Sequence, residues 1–454
     1  MIDRNNKEGN AHVRAERAGI GGVILFGLIC CLLYGLGAGV RCNVGILVNP
    51  LIVQYGVAYD QIAFSIAVMQ LVFGASQPLF GLLAAKHSNR FVLALGAILL
   101  TVGVIGIRTS RAYPLLVLFL GIVFGAGAGA ISFGMVLSSA IHFAGQKNAM
   151  LLSGMLNAAA GLLGFVLAPL IQTLIGTFGL GTTLVVLAVM MVLLLPIVYV
   201  VTIRDPRKAG TEREEELAAK RDGKEMELPS AAERMSKETK STCTTELPSA
   251  AEHMGKAEAK TFSAKQILSE ALNNRTYRLL IAGFGTCGFH MVIIESHLFS
   301  QFVQYGISRT SASWAFSVYS LATITGALLS GYLSGRMHKG RLLGIYYGFR
   351  AVWTIVFLFV MPKNMISVVV FAIGLGLTGD ATVSPTSGLV NKNFRLEYIA
   401  TLIGLLFLCH QIGAFLSAWL GGILFAATGG YTAIWMIDVG LCSFAALMSF
   451  RIRE

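Results

Sequence analysis

Residues 19–41 read GIGGVILFGLICCLLYGLGAGVR, with no charged side chain until Arg41. A helix needs about 20 apolar residues to cross roughly 30 Å of hydrocarbon, so this run is long enough to span a bilayer. Runs of the same kind recur up to the last turn before Arg451. They predict six helices in a first half: α1 over 19–41 with a continuation to 54, α2 over 61–85, α3 over 91–107, α4 over 113–142, α5 over 148–175 and α6 over 180–202. Six more form a second half: α7 over 277–303, α8 over 311–335, α9 over 341–361, α10 over 365–390, α11 over 398–424 and α12 over 431–450. A mean hydropathy of +0.71, with charged residues at 13%, fits no soluble domain. Because every backbone N–H and C=O must be satisfied inside hydrocarbon, the expectation is an all-α integral membrane protein of two six-helix bundles.

The net charge of +12 raises the question of a nucleic-acid partner, and its distribution answers it. Residues 203–264 hold 12 of the 35 Lys and Arg and 13 of the 23 Asp and Glu, which leaves 23 cations and 10 anions elsewhere. Most of those cations fall in short loops on one side: Arg4, Lys7, Arg14 and Arg17, then Lys86 and Arg90, Lys147, Arg336, Lys339 and Arg341, Lys392 and Arg395, and Arg451 and Arg453. The opposite loops are poor in cations, with Arg108, Arg111, Arg309 and Lys363 as exceptions. This positive-inside bias predicts both termini and the central segment in the cytoplasm, with no nucleic acid needed to account for the charge. The polar start Met1–Arg17 lacks a short apolar core with a small-residue cleavage site, so α1 is expected to remain as a helix. Six of the seven cysteines (Cys30, Cys31, Cys42, Cys287, Cys409 and Cys442) lie within apolar stretches without paired or metal-ligand spacing, and read as packing residues.

The two halves echo each other at an offset of 250 residues. Gly81-Leu-Leu-Ala-Ala-Lys86 after α2 parallels Gly331-Tyr-Leu-Ser-Gly-Arg336 after α8, and Gly154 in α5 parallels Gly404 in α11. Parallel repeats of this kind indicate duplication. The organisation that follows is an N-terminal tail (1–18), a first bundle (19–202), a charged linker (203–264) and a second bundle (265–454). The linker is rich in Glu, Lys, Ala, Ser and Thr, has almost nothing to bury, and is expected to be largely disordered. It carries a tandem repeat, ELPSAAERM at 227–235 and ELPSAAEHM at 246–254. A tether between bundles is the simpler reading; a docking segment for a partner stays open.

On these residues the chain resembles the major facilitator superfamily over its whole length outside tail and linker. The signature of that family after the second helix, Gly-x-Leu-Ala-Asp-Arg-x-Gly-Arg-Arg, corresponds to Gly81 through Arg90, with Ala85 at the acidic position and Ser88 at the later glycine. Within the family it is similar to bacterial relatives of the monocarboxylate carriers and oxalate/formate antiporters. The segments that carry this likeness are Arg41-Cys-Asn-Val-Gly45, Gln77-Pro-Leu-Phe-Gly81, Cys287-Gly-Phe-His290 with His297-Leu298, and His410-Gln-Ile-Gly-Ala-Phe415. The resemblance implies alternating access, with α1, α4, α7 and α10 lining a cavity, α2, α5, α8 and α11 flanking it and the remainder outside. It also implies gating roles for Gly81, Lys86, Arg90 and Arg336.

Ionisable groups at mid-depth cost at least about 2.5 kcal/mol each, so each needs a reason to be there. Arg41 follows the apolar run of a cavity-lining helix, and a guanidinium can hold a carboxylate through two parallel hydrogen bonds; an Arg snorkelling to the headgroups is the competing reading. His290 near the middle of α7 is a candidate for proton coupling, against a histidine that only bonds a neighbouring helix. Glu295 and His297 lie one to two turns further out, either with it or at the interface. Asp380 in α10 follows Gly374, Gly376 and Gly379 and is a candidate proton carrier, against an ion pair with Arg350. Arg350 in α9 and Asp438 in α12 are expected to be structural. Asn43 in the Arg41 segment, Gln70 and Asn157 on α2 and α5, and His410 and Gln411 on α11 are candidates for orienting a small polar ligand, with interhelical hydrogen bonds as the alternative. The glycines at 121, 125, 127 and 129 in α4, and Gly161, Gly164 and Pro169 in α5, read as packing and bending positions.

There is no phosphate-cradling loop with its Lys, no nucleophile beside a base and no metal-ligand cluster, so neither an enzyme nor a cofactor is expected. The reading is a monomeric secondary active transporter of a small organic anion, a mono- or dicarboxylate, in the bacterial inner membrane, working by proton symport or anion exchange. An exporter of a neutral or siderophore-like compound and a non-transporting membrane sensor or scaffold are the two alternatives.

Overall fold

The computed structural model describes residues 20–145, 148–203 and 264–453. The expected N-terminal tail, Lys147 and nearly all of the linker with its tandem repeat lie outside the described residues. The chain divides into two units, one of Met1–Asp205 with Ala271–Glu454 and one of Pro206–Glu270; the twelve membrane spans belong to the first.

Among the described residues, eleven helical stretches are long and apolar enough to cross a membrane. One of them, Leu151–Val201 with 51 residues, accounts for two crossings, so the spans number twelve. Their bounds are α1 Ile20–Cys42, α2 Tyr59–Lys86, α3 Asn89–Thr109, α4 Tyr113–Ala144, α5 149–178 and α6 180–201 in the first half. The second half has α7 Arg275–Gln304, α8 Arg309–Ser334, α9 Lys339–Phe359, α10 Met365–Asn393, α11 Leu396–Thr428 and α12 Thr432–Phe450. The break between α5 and α6 is Gly179, whose φ of 76° lies in the left-handed region that glycine tolerates without a Cβ penalty. The continuation expected beyond α1 is a separate helix, Val44–Tyr55, set off by a turn at Asn43. A short helix, Ala264–Asn273, precedes α7.

Each half repeats one packing plan. In the first, α1 packs on α5, α2 on α4 and α3 on α6; in the second, α7 packs on α11, α8 on α10 and α9 on α12. Small residues bring these pairs together, as expected where lipid supplies no hydrophobic drive between helices. In α1, Gly35 faces Leu163 and the Ala159 carbonyl of α5, and at the equivalent contact a methyl on Gly413 of α11 would overlap the Gly285 carbonyl of α7.

All four expected cavity-lining helices lose regular α geometry within their spans. In α1 the turn is at Asn43 (φ −98°, ψ 12°), and in α4 it is at Ile131 and Ser132 (ψ 41° and 162°). In α7 a π-helical stretch spans Ile294–Leu298, and in α10 a 3-10 turn spans Asp380–Thr382. The 250-residue offset carries Asn43 to the residue before Ile294 and Ile131 to Ala381, so the breaks are themselves repeated. Backbone freed in this way is tolerated at membrane depth where it is buried in protein or lines a cavity.

Among the described residues the halves meet from mid-depth toward the end that holds the α1–α2 and α7–α8 loops. There Phe64 of α2 lies 6.2 Å from Phe415 and 6.3 Å from Trp419 of α11, and Ser317 of α8 donates to the Phe165 carbonyl of α5 at 2.7 Å. At the opposite end a Cβ on Gly81, Gly154 or Gly404 would meet nothing within 4 Å. The cleft between the halves is therefore closed at one end and open at the other.

Candidate functional site

At the level of the helix breaks, three side chains from three helices bind one another. Arg41 Nη1 donates to Gln70 Oε1 at 2.9 Å and forms an ion pair with Glu295 Oε2 at 3.0 Å; Gln70 Nε2 donates to the same Glu295 oxygen at 2.7 Å. Arg41 and Gln70 belong to the first half and Glu295 to the second, so the triad bridges them. The Arg41 side chain keeps 15% of its surface and that of Glu295 8%, enough for contact with the cleft and little enough for a strong charge interaction. Phe73 lies under the guanidinium at 4.6 Å, and Cys42 Sγ accepts from Nη2 at 3.3 Å.

The backbone explains why Glu295 reaches Arg41. Gly45, just after the turn at Asn43, sits so close to the Glu295 carbonyl that a methyl there would overlap it. The π-helical stretch adds residues to its turn and rotates Glu295 relative to the helix before it. Asn43, by contrast, is fully buried and donates to the Gly39 carbonyl at 2.8 Å and the Gly164 carbonyl at 3.2 Å. It pins α1 to α5 and does not join the site expected for it.

Asp380 stands on the 3-10 turn of α10 and is exposed, yet its neighbourhood contains Glu295, His410, Arg350 and Arg41, which places it on the cleft wall and not toward lipid. No ion pair forms between Asp380 and Arg350, as the sequence reading had allowed. Arg350 is fully buried and gives Nη2 to the carbonyls of Thr378 and Gly379, the latter at 2.7 Å. It braces the break that carries Asp380. His410 of α11 borders the same region, with a buried Nδ1 that has no hydrogen-bond partner, and its ring lies 5.3 Å from Phe284. Gln411 is buried against Gly74 of α2, its Oε1 also without a partner. Asn157 is exposed on the face of α5 that carries Gly161, one turn toward the open end.

His290 takes the second of its two readings, a bond to a neighbouring helix. Its Nδ1 lies 2.7 Å from Asp438 Oδ2, both side chains have no exposed surface, and the ring lies 6.1 Å from Trp435. The pair joins α7 to α12 behind the cleft wall. On an α-helix, positions five apart diverge by about 140°, so His290 cannot share the face that Glu295 presents. The second-half core thus takes His290 and Asp438 together, with Cys442 Sγ 3.7 Å from Asp438 Oδ1.

At the closed end His297 carries the seal. Tyr59 Oη of α2 meets its Nδ1 at 2.7 Å, Tyr431 donates to the Tyr59 hydroxyl at 3.0 Å, and His297 Nε2 meets the Ala418 carbonyl at 3.2 Å. Phe425 stacks within 4.3 Å of Tyr59 and 4.7 Å of Tyr431. At the open end Arg90 bonds Thr202 within its own half, at 3.1 Å to both the hydroxyl and the carbonyl, and lies over Tyr199. Lys86 is exposed and Arg336, likewise exposed, lies over Tyr332 at 4.1 Å, so none of these loop cations reaches across the open cleft.

The sequence reading missed Tyr34, Phe73 and Tyr319. Tyr34 neighbours Arg41, Cys42, Asp380 and Glu295, and Tyr319 neighbours Asp380 and Glu295. Helical spacing carried a signal for Tyr34, which lies seven residues before Arg41 and so on the same face; nothing marked Tyr319.

Two halves of six helices with one packing plan, meeting around a polar layer at mid-depth, define a two-bundle multi-pass membrane protein. The model of the Major Facilitator Superfamily matches residues 25–304 and 298–454, and the chain belongs to that family. It is 25% identical over 198 residues to the "Uncharacterized MFS-type transporter YcxA" of Bacillus subtilis (strain 168); the match covers 40% of this chain and 46% of that relative's length. Among solved structures, "Crystal structure of D-xylose-proton symporter" superposes with a TM-score of 0.66 over 95% of this chain and 97% of that one, at 14% identity, a likeness of fold.

Proposed function

We propose that this protein is a secondary active transporter that carries a small organic anion together with a proton. The observation that supports the reading is the Arg41–Gln70–Glu295 triad, a cation and a carboxylate paired across the two halves at mid-depth. With Glu295 ionised, Arg41 is satisfied and the empty site is neutral. When Glu295 takes a proton its hold on Arg41 weakens, and the guanidinium becomes available to a substrate carboxylate through two parallel hydrogen bonds. The loaded site, with Arg41 positive, the substrate negative and Glu295 neutral, is neutral again. Either half-loaded state leaves one uncompensated charge where charge is costly. Proton and anion therefore move together.

In this reading Arg41 and Gln70 bind substrate and Glu295 carries the proton. Asn157 and Gln411 are candidates for later contact as the cleft closes. The cation-rich loops lie at the open end, so by the positive-inside bias the conformer faces the cytoplasm, with both termini on that side, in a bacterial inner membrane and as a monomer.

The test is uptake of labelled lactate, pyruvate, formate, oxalate and succinate into proteoliposomes, with and without an inward proton gradient. Saturable uptake of at least one acid, accelerated by the gradient and abolished by Arg41→Gln, is expected. Uptake with unchanged affinity in Arg41→Gln would remove Arg41 from the site, and no uptake or counterflow of any acid would overturn the anion reading.

A further inference from the structure

Asp380 is a carboxylate at mid-depth that the proton and anion cycle leaves without a role. Its side chain is exposed on the cleft wall and, among the described residues, has no hydrogen bond or ion pair. Arg41 is engaged with Glu295 and Gln70, while Arg350 gives Nη2 to the carbonyls of Thr378 and Gly379 and is fully buried, its unpartnered Nε and Nη1 shut away from the cleft. While the cleft is open, water serves Asp380. Once the cleft closes, an unpaired carboxylate beside Tyr34 and Tyr319 would be costly. Beside it His410 Nδ1 is buried and likewise lacks a partner. An unpartnered carboxylate open to the cleft, with an unpartnered His410 Nδ1 buried in its neighbourhood, indicates that the missing partner arrives with the cargo.

We propose that Asp380, with His410 beside it, is a second pole of the binding site, which takes an N–H or O–H donor on the same substrate whose carboxylate goes to Arg41. The substrate class is then an acid that also carries a hydroxyl or ammonium group, not a simple alkyl carboxylate. This rests on the assignment of Arg41 as carboxylate anchor. Asp380 thereby changes from the proton carrier suggested by sequence to a specificity-determining group, and Arg350 becomes the positioning residue that holds its turn.

The experiment measures how propionate, lactate, 3-hydroxypropionate, alanine and β-alanine raise the melting temperature of the purified full-length protein in detergent, each over a concentration series. For at least one donor-bearing acid, binding about tenfold or more tighter than propionate is expected, the scale of a hydrogen bond to a charged acceptor. Asp380→Asn should remove most of that preference. Whether the hydroxy or the amino acids bind more tightly identifies the donor. Equal binding of all five acids by the wild type, which needs no variant to fold, would overturn the proposal, as would binding of none or an equal loss for every acid in Asp380→Asn. Arg41→Gln separates the two assignments: if it leaves propionate binding intact the carboxylate anchor has failed, whereas loss of all binding in Arg41→Gln with no donor preference in the wild type overturns the second pole alone.

Discussion

Glu295→Gln tests the coupling directly, because glutamine keeps the shape and the acceptor of a protonated glutamate and cannot release a proton. In the wild type an incoming carboxylate must displace an ionised Glu295 from Arg41 at 3.0 Å. A full Coulomb term at 4 Å and an effective dielectric near 20 is about 4 kcal/mol, which is an upper limit. A charged hydrogen bond exceeds a neutral one by about 1–2 kcal/mol, and that difference is what the substitution removes. The variant should therefore bind the best-transported acid of the panel about 5- to 30-fold more tightly than the ionised wild type. The sign follows from charge: wherever Glu295 is neutral Arg41 is released, and the two proteins converge. Equilibrium binding of the labelled acid across a pH series reads this, and counterflow should persist in the variant while gradient-driven accumulation is lost. A variant with the pH dependence of the wild type, or with weaker binding at every pH, would refute the exchange of Arg41 between Glu295 and substrate.

Asp438→Ala should destabilise the protein by about 3–5 kcal/mol, because it strands fully buried His290, yet any folded fraction should keep the wild-type pH profile of uptake; a shifted profile would return His290 to the coupling path. Gly413→Val forces α11 off the Gly285 carbonyl and should cost about 1–3 kcal/mol or more, seen as a lower melting temperature; an unchanged one would contradict that contact. Tyr59→Phe removes the hydroxyl between His297 and Tyr431 and should weaken the closed end by about 1–3 kcal/mol, a 5- to 150-fold shift toward opening there. Alkylation of a cysteine introduced at Ser300 reports it, and an unaltered rate would mean that the cluster does not hold the seal.

The twelve spans were readable because bilayer thickness imposes a length that apolar runs must meet, and the observed ends fall within a few residues of those expected. Arg41 was readable for the same reason, as a costly residue at the end of a clean run. What lay beyond reach was direction. Asn43 and Arg41 are two positions apart and so diverge by about 200° on a helix, but which of them enters the α1–α5 contact and which the cleft has no sequence mark. In α7, His290 and Glu295 looked like one group, and a helical-wheel argument alone could have separated them; the π-helical stretch that aims Glu295 at Arg41 has no sequence mark. Asp380 and Arg350 were read as rivals for one ion pair, since nothing in composition shows that the guanidinium would be taken by the carbonyls of a broken helix.

The breaks in α1, α4, α7 and α10, repeated between the halves, divide the lining into upper and lower half-helices joined by a broken middle stratum. Selection acting on cargo preference can work within that stratum, exchanging Gln70, Asp380, His410 or Tyr34, without disturbing the glycine-packed shafts above and below. A lineage of such proteins could diversify widely in diet while its scaffold stayed nearly still.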